Sequence, residues 1–179
     1  VTFPTDTETV QAALKKIGID GIRYEEVFIS DYDGDMPQLH KRLGEYENID
    51  ELNYLACVLS ELSQDELAKF EAVMDSGEYT GSVKELINLA QNLDNYDEAY
   101  GRDVRINEGG HFAPGGYVMC NQGSFVEHYH GIEDIPAGQR VFSMPKLPIR
   151  EQMAAYREMM DRAPPPAERP APRVGREDR

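Results

Sequence analysis

Three histidines, two cysteines and a large excess of carboxylates are the side chains of this sequence whose chemistry invites a functional reading. His128 and His130 flank Tyr129 at the spacing that puts both imidazoles on one face of a strand, and His111 is a candidate third metal ligand. No cysteine or carboxylate stands at a recognisable ligand spacing from them, so packing or solvent exposure is the plainer reading. INEGGHFAPGG, residues 106–116, is glycine-rich but has neither the lysine of a phosphate loop nor the spacing of a dinucleotide fingerprint. DYDGD, residues 31–35, has the wrong order of acids and glycine for a calcium loop and no distal glutamate. No GxSxG nucleophile elbow occurs. Cys57 and Cys120 form no CxxC pair, and both read as buried free thiols. The expectation is a protein without a catalytic centre, metal or cofactor.

The carboxylates are the remaining signal. Thirty-three acids against 18 bases give a net charge of -15, a field that repels nucleic acid and anionic lipid and attracts basic grooves. The charge is concentrated: residues 20–98 hold 20 acids and 5 bases, whereas 109–149 hold 3 and 2, and 150–179 hold 6 and 7. A basic protein is the partner this distribution suits, with no direct binding to nucleic acid or membrane. No run of 18 apolar residues exists and the opening VTFPTDTETV has no leader pattern, so a cytoplasmic location is the expectation.

The elements that must carry these acids are legible from periodicity. In NIDELNYLACVLSEL, residues 48–62, Ile49, Leu52, Leu55, Leu59 and Leu62 recur at helical spacing behind Asn48 as N-cap. SQDELAKFEAVMDSG restarts the pattern with Ser63 and Glu66 as a capping box and Gly77 as the stop. SVKELINLAQNL follows, capped by Ser82. The acids interleave with core-grade residues, so the helices hold them rigidly.

The fold class predicted is α+β, in four parts. Residues 1–47 read as a small α+β unit, with VTFP ending a strand, a helix from Thr5 to Ile17 capped by Thr5, a half-exposed strand YEEVFISDYD and a short helix at 36–43. Residues 48–95 form an acidic helical bundle. Residues 96–135 form a β-rich unit whose hairpin pairs YVMC with SFVEHYH across a glycine turn at 121–123. Order fades after Pro136: 136–179 is a Pro/Arg-rich tail, extended apart from a helix at 149–162. One lone strand with a single partner makes no stable sheet. Either a C-terminal strand completes it or the native chain begins earlier.

VTFPTDTETVQAALKKIG, YEEVFISDYD, LGEYENIDELNYLA, SVKELINLAQNLDNYD and EAYGRDVRINEGGHF resemble successive blocks of the ArdA-like antirestriction proteins of conjugative mobile elements. The similarity covers roughly residues 1–131, and Tyr100–Asp103, Asn107–Gly110 and NIDELNYLA at 48–56 carry most of its weight. The resemblance implies an elongated, modular protein that imitates bent B-form DNA and occupies the DNA-binding groove of type I restriction-modification enzymes, without catalysis or cofactor. This chain departs from the pattern in two places. Relatives carry an opening strand before VTFP, and a longer stretch where Asp97 here runs directly into Glu98. That stretch resembles the part that goes with the last acidic section and with pairing of two subunits, so its absence bears on homodimer formation and on full inhibition.

On this reading the DNA-mimic surface consists of Glu25, Asp31, Asp33, Asp35, Glu45, Glu47, Asp50, Glu51, Glu61, Asp65, Glu66, Glu71, Asp75, Glu78 and Glu85, each standing for a phosphate. Duplex DNA carries about one charge per 1.7 Å of axis and a helix rises about 1.5 Å per residue, so several acidic elements must combine to approach that density. Two rivals remain. One is an acidic adaptor or inhibitor of another DNA-binding protein, such as a nuclease, a CRISPR effector or a transcription factor. The other is a metal enzyme built on His111, His128 and His130.

Overall fold

The structure, a computed structural model, describes residues 1–22, 26–77, 79–99, 111–113, 116–120, 123–144 and 147–162. Helices dominate it, with a small antiparallel sheet, so the fold is mixed α and β. α1 (Thr7–Lys16), α2 (Pro37–His40), α3 (Ile49–Glu61), α4 (Gln64–Ser76) and α5 (Val83–Ala90) precede β1 (Tyr96–Ala99), β2 (His111–Ala113) and β3 (Gly116–Cys120), and α6 (Ile149–Arg162) follows.

The three central helices begin where their capping residues dictate. The Asn48 side chain accepts the Asp50 and Glu51 amides at 2.8 and 3.2 Å. Ser63 and Glu66 close a capping box, and Gly77 ends α4 in the left-handed region at φ 85, which costs glycine nothing. Ser82 accepts the Glu85 amide at 3.2 Å. α1 differs from expectation: its cap is Asp6, which takes the Thr9 amide at 2.8 Å, rather than Thr5. The Thr5 backbone amide instead donates to Asn53 Oδ1 at 2.8 Å.

One core joins the helices to the sheet. Leu52, Leu55 and Leu59 of α3 pack with Phe70, Val73 and Met74 of α4, Val83, Leu86, Ile87 and Leu89 of α5, Tyr96 of β1 and Val118 of β3. A second, smaller cluster gathers Val10 and Leu14 of α1 around Val141, with Ile19, Val27 and Ile49 at its edge. Helices α3 and α5 pack together, and α4 lies against β2 and β3.

The β structure departs from the sequence reading in three ways. The sheet order is β1-β3-β2, so the YVMC strand pairs with 96–99 and 111–113: Tyr96 faces Cys120 and His111 faces Val118. SFVEHYH is not its hairpin partner. Residues 26–30 form no ladder, although the expected alternation persists: Val27 and Ile29 are half-buried and Glu26, Phe28 and Ser30 exposed. Among the described residues one backbone bond, Ile29 N–H to Glu45 carbonyl at 2.7 Å, ties this stretch to its neighbour. VTFP likewise carries no strand, and the short helix is Pro37–His40.

Order also continues past Pro136. Residues 123–144 form a strap over α5 and α3, with 3-10 turns at Ile132–Asp134 and Ala137–Gln139 and with Tyr129, Ile135 and Val141 fully buried. α6 has the predicted bounds. Residues 163–179, the Pro/Arg-rich end, lie outside the described residues. No described helix is long and apolar enough to cross a membrane.

Candidate functional site

Of the fifteen carboxylates singled out above, Glu25 and Glu78 lie outside the described residues. The other thirteen fall into two sets that the sequence does not distinguish. The first set is engaged within the fold. Asp31 takes the Tyr32 amide at 2.9 Å, and Glu47 takes the Gly44 amide at 3.0 Å. Asp50 accepts the Val141 and Phe142 amides at 2.6 and 2.7 Å. Glu51 accepts the buried Tyr129 hydroxyl at 2.8 Å. Glu66 belongs to the α4 capping box, and Glu85 reaches back to the Gly81 amide at 2.7 Å.

The second set is exposed and turned outward. The carboxylates of Asp33, Asp35, Glu45, Glu61, Asp65, Glu71 and Asp75 accept no hydrogen bond and form no ion pair among the described residues. On α4 the exposed residues Gln64, Ala68, Glu71 and Asp75 follow one another at 4, 3 and 4 residues, a single solvent-facing strip. Glu71 and Asp75 are one turn apart on it and repel each other. Glu61 sits in the last turn of α3, where no base is present and a negative charge opposes the helix dipole. The end of α4 is met instead by Arg42, whose Nη2 donates to the Met74 carbonyl at 3.3 Å and so brings the α2 region to α4.

Hydrogen bonds from Ser63 hold Glu66 below the usual carboxylate range. Burial, and then the Glu47 charge, push the Tyr32 phenol up to about 12. Burial raises Tyr129 further still, reinforced by its bond to Glu51. Burial and the Glu61 charge also raise the Cys57 thiol.

The other candidate groups are placed as follows. His128 is exposed, and His130 Nδ1 lies 2.9 Å from Asp134 Oδ2; the His130 amide, and then this side-chain contact, hold Asp134 below its usual range. Among the described residues no three histidine, cysteine or carboxylate side chains converge as a metal site. Cys57 is half-buried, but Cys120, at the end of β3, is exposed and not buried as predicted. The glycine-rich 106–110 lies outside the described residues.

Sequence reasoning passed over the residues that hold the strap. Asn53, Asn88 and Asn92 are each under 5% exposed, and their amides bond backbone groups of the strap. Their signal was available: asparagines at i and i+4, between Ile87, Leu89 and Leu93, on the apolar face of a helix.

The family model described as antirestriction protein (ArdA) matches residues 1–119. The chain belongs to the ArdA family. No curated protein and no solved structure matches it. The ArdA match takes in every carboxylate of both sets and ends within β3, so the strap and α6 lie beyond it. ArdA proteins are antirestriction proteins, and their targets, restriction enzymes, are proteins.

Proposed function

We propose that this ArdA protein is a non-catalytic DNA mimic that occupies the DNA-binding groove of a type I restriction-modification enzyme. The observation that carries the reading is the second set of carboxylates. Seven exposed acids have no described partner, and two of them, Glu61 and Glu71, stand where local helix energetics disfavour a negative charge. A fold optimised only for itself would place lysine or arginine there. The acids therefore serve something outside the chain.

A groove built for phosphates presents lysine and arginine, and carboxylates meet those cations with the sign and the hydrogen-bonding capacity of phosphate oxygens. Glu71 and Asp75 are separated by about 6 Å along α4, between one and two steps of a DNA strand at about 3.4 Å each. The binding energy is spread over many weak contacts, so no single acid dominates. The four-part division of the chain, a cytoplasmic site of action and the mobile-element setting belong to the same proposal.

The test is displacement of duplex DNA from a purified type I restriction enzyme by the full chain, at salt concentrations from about 50 to 200 mM. Long-range attraction between unlike charges is screened over that span, so the affinity falls by roughly tenfold or more. An affinity that does not change with salt overturns the reading. Binding to a different basic DNA-binding protein with restriction untouched would instead favour the adaptor alternative.

A further inference from the structure

We infer that Asp50 and Asn53 form a positioning junction, so that Asp50 serves partner binding by fixing the N-terminal acidic segment and not by standing for a phosphate. The inference rests on the mimic reading above and reassigns one residue of its surface.

Asp50 and Asn53 lie one turn apart on the same side of α3. Asn53 is buried, and its one amide bonds in two directions: Oδ1 accepts the Thr5 amide at 2.8 Å, and Nδ2 donates to the Gln139 carbonyl at 2.9 Å. A single side chain thus ties the approach to α1 to a strap residue 134 positions later (139 minus 5). Asp50 fastens the next strap residues through one carboxylate oxygen that receives both the Val141 and Phe142 amides. Bonds of this kind, with an ionised acceptor, are among the stronger ones in a protein. They seat Val141, 1% exposed, against Val10 and Leu14 of α1.

The consequence concerns the other acids. α1 leads into residues 26–47, which carry Asp31, Asp33, Asp35, Glu45 and Glu47. Val27 of that stretch packs on the same cluster as Val141. Loosening the junction therefore frees the Val27 end of this stretch, next to Asp31, Asp33 and Asp35, while Arg42 still ties the α2 region to α4. Asp50 and Asn53 lie within the residues that match the family, and the strap residues they hold lie beyond them.

The experiment compares Asp50→Asn, Asp50→Ala and Val141→Ala in the full chain. Asn keeps an Oδ1 acceptor for the two strap amides and removes the charge; Ala removes both. Displacement of duplex DNA from a type I restriction enzyme and hydrogen exchange of the α1 amides are the readouts. Asp50→Asn stays within about fivefold of wild type, the effect of one charge among many. Asp50→Ala weakens displacement by at least about tenfold and speeds α1 exchange, with the α4 and α5 amides unchanged. Val141→Ala, which alters no charge, moves both readouts in the same direction. Equal losses in Asp50→Asn and Asp50→Ala, with α1 exchange unaltered, would make Asp50 a direct contact and overturn the inference. If wild type displaces no DNA, the mimic reading fails on its own, and an unchanged α1 exchange rate in Asp50→Ala and Val141→Ala still overturns the junction.

Discussion

Asn88 grips Tyr129 by both of its backbone groups: Oδ1 accepts the Tyr129 amide at 2.8 Å, and Nδ2 donates to the Tyr129 carbonyl at 2.7 Å. This is the reciprocal pairing of two strands, performed by one side chain of a helix. Asn92, a turn later, repeats it on Val126, accepting its amide at 2.9 Å and donating to its carbonyl at 2.8 Å. The segment that sequence periodicity assigns to a hairpin thus satisfies its backbone on α5 and the turn that follows it instead of on β3.

Asn88→Ala strips the partners from the His128 and Tyr129 amides and from the Tyr129 carbonyl in a buried setting. Buried backbone groups left without partners cost about 1–3 kcal/mol each before relaxation, so the variant should lose roughly 2–4 kcal/mol. Urea unfolding at neutral pH measures it. A loss within about 0.5 kcal/mol, the spread among surface variants, would show the strap to be held by its apolar plugs alone.

The tyrosines predict an alkaline limb. Tyr32 and Tyr129 both titrate above the ordinary 10.0 in the folded chain, through burial first and neighbouring carboxylates second. A raised folded value means the native state keeps protons that the unfolded state gives up. Their contribution is therefore complete below about pH 10 and is lost as pH rises beyond it. Thermal unfolding followed from pH 8 to 11 should show a falling midpoint above about 10, and Tyr129→Phe should flatten that fall. A midpoint independent of pH over this range would contradict the burial of Tyr129 and the partial burial of Tyr32.

The unpartnered acids predict a trade between stability and activity. Glu61→Gln relieves an unfavourable charge at the end of α3, and Glu71→Gln relieves the repulsion with Asp75. Each should raise unfolding stability by a few tenths of a kcal/mol while weakening DNA displacement. Loss of stability in either variant would mean that the carboxylate has a structural task.

How far the sequence was legible depends on how local each determinant is. Asn48, Ser63, Gly77 and Ser82 act within four residues of themselves, and the helices they bound are where periodicity put them. The bounds of α6 are equally local, set by residues 149–162. Thr5 and Asp6 are both good caps; the structure uses Asp6, while the Thr5 amide bonds Asn53, 48 residues away. Val27 and Ile29 alternate as a strand would, but whether a ladder forms depends on a partner that local pattern does not contain. The acids show the same limit. Asp50 and Glu51 look like any surface carboxylates until residues 129, 141 and 142 are brought onto them. The membership of the family was legible in whole blocks of sequence, whereas the split of its acids into structural and outward-facing sets was not.

The central claim is that the outward-facing acids carry the antirestriction activity. Its most direct test is the plating of unmodified phage on cells with an active type I restriction system, expressing either the native chain or a variant with Asp33, Asp35, Glu45, Glu61, Asp65, Glu71 and Asp75 replaced by their amides. The account predicts that the native chain raises plating strongly and that the amide variant, folded and equally abundant, leaves restriction in force. Equal protection by the folded variant would contradict it.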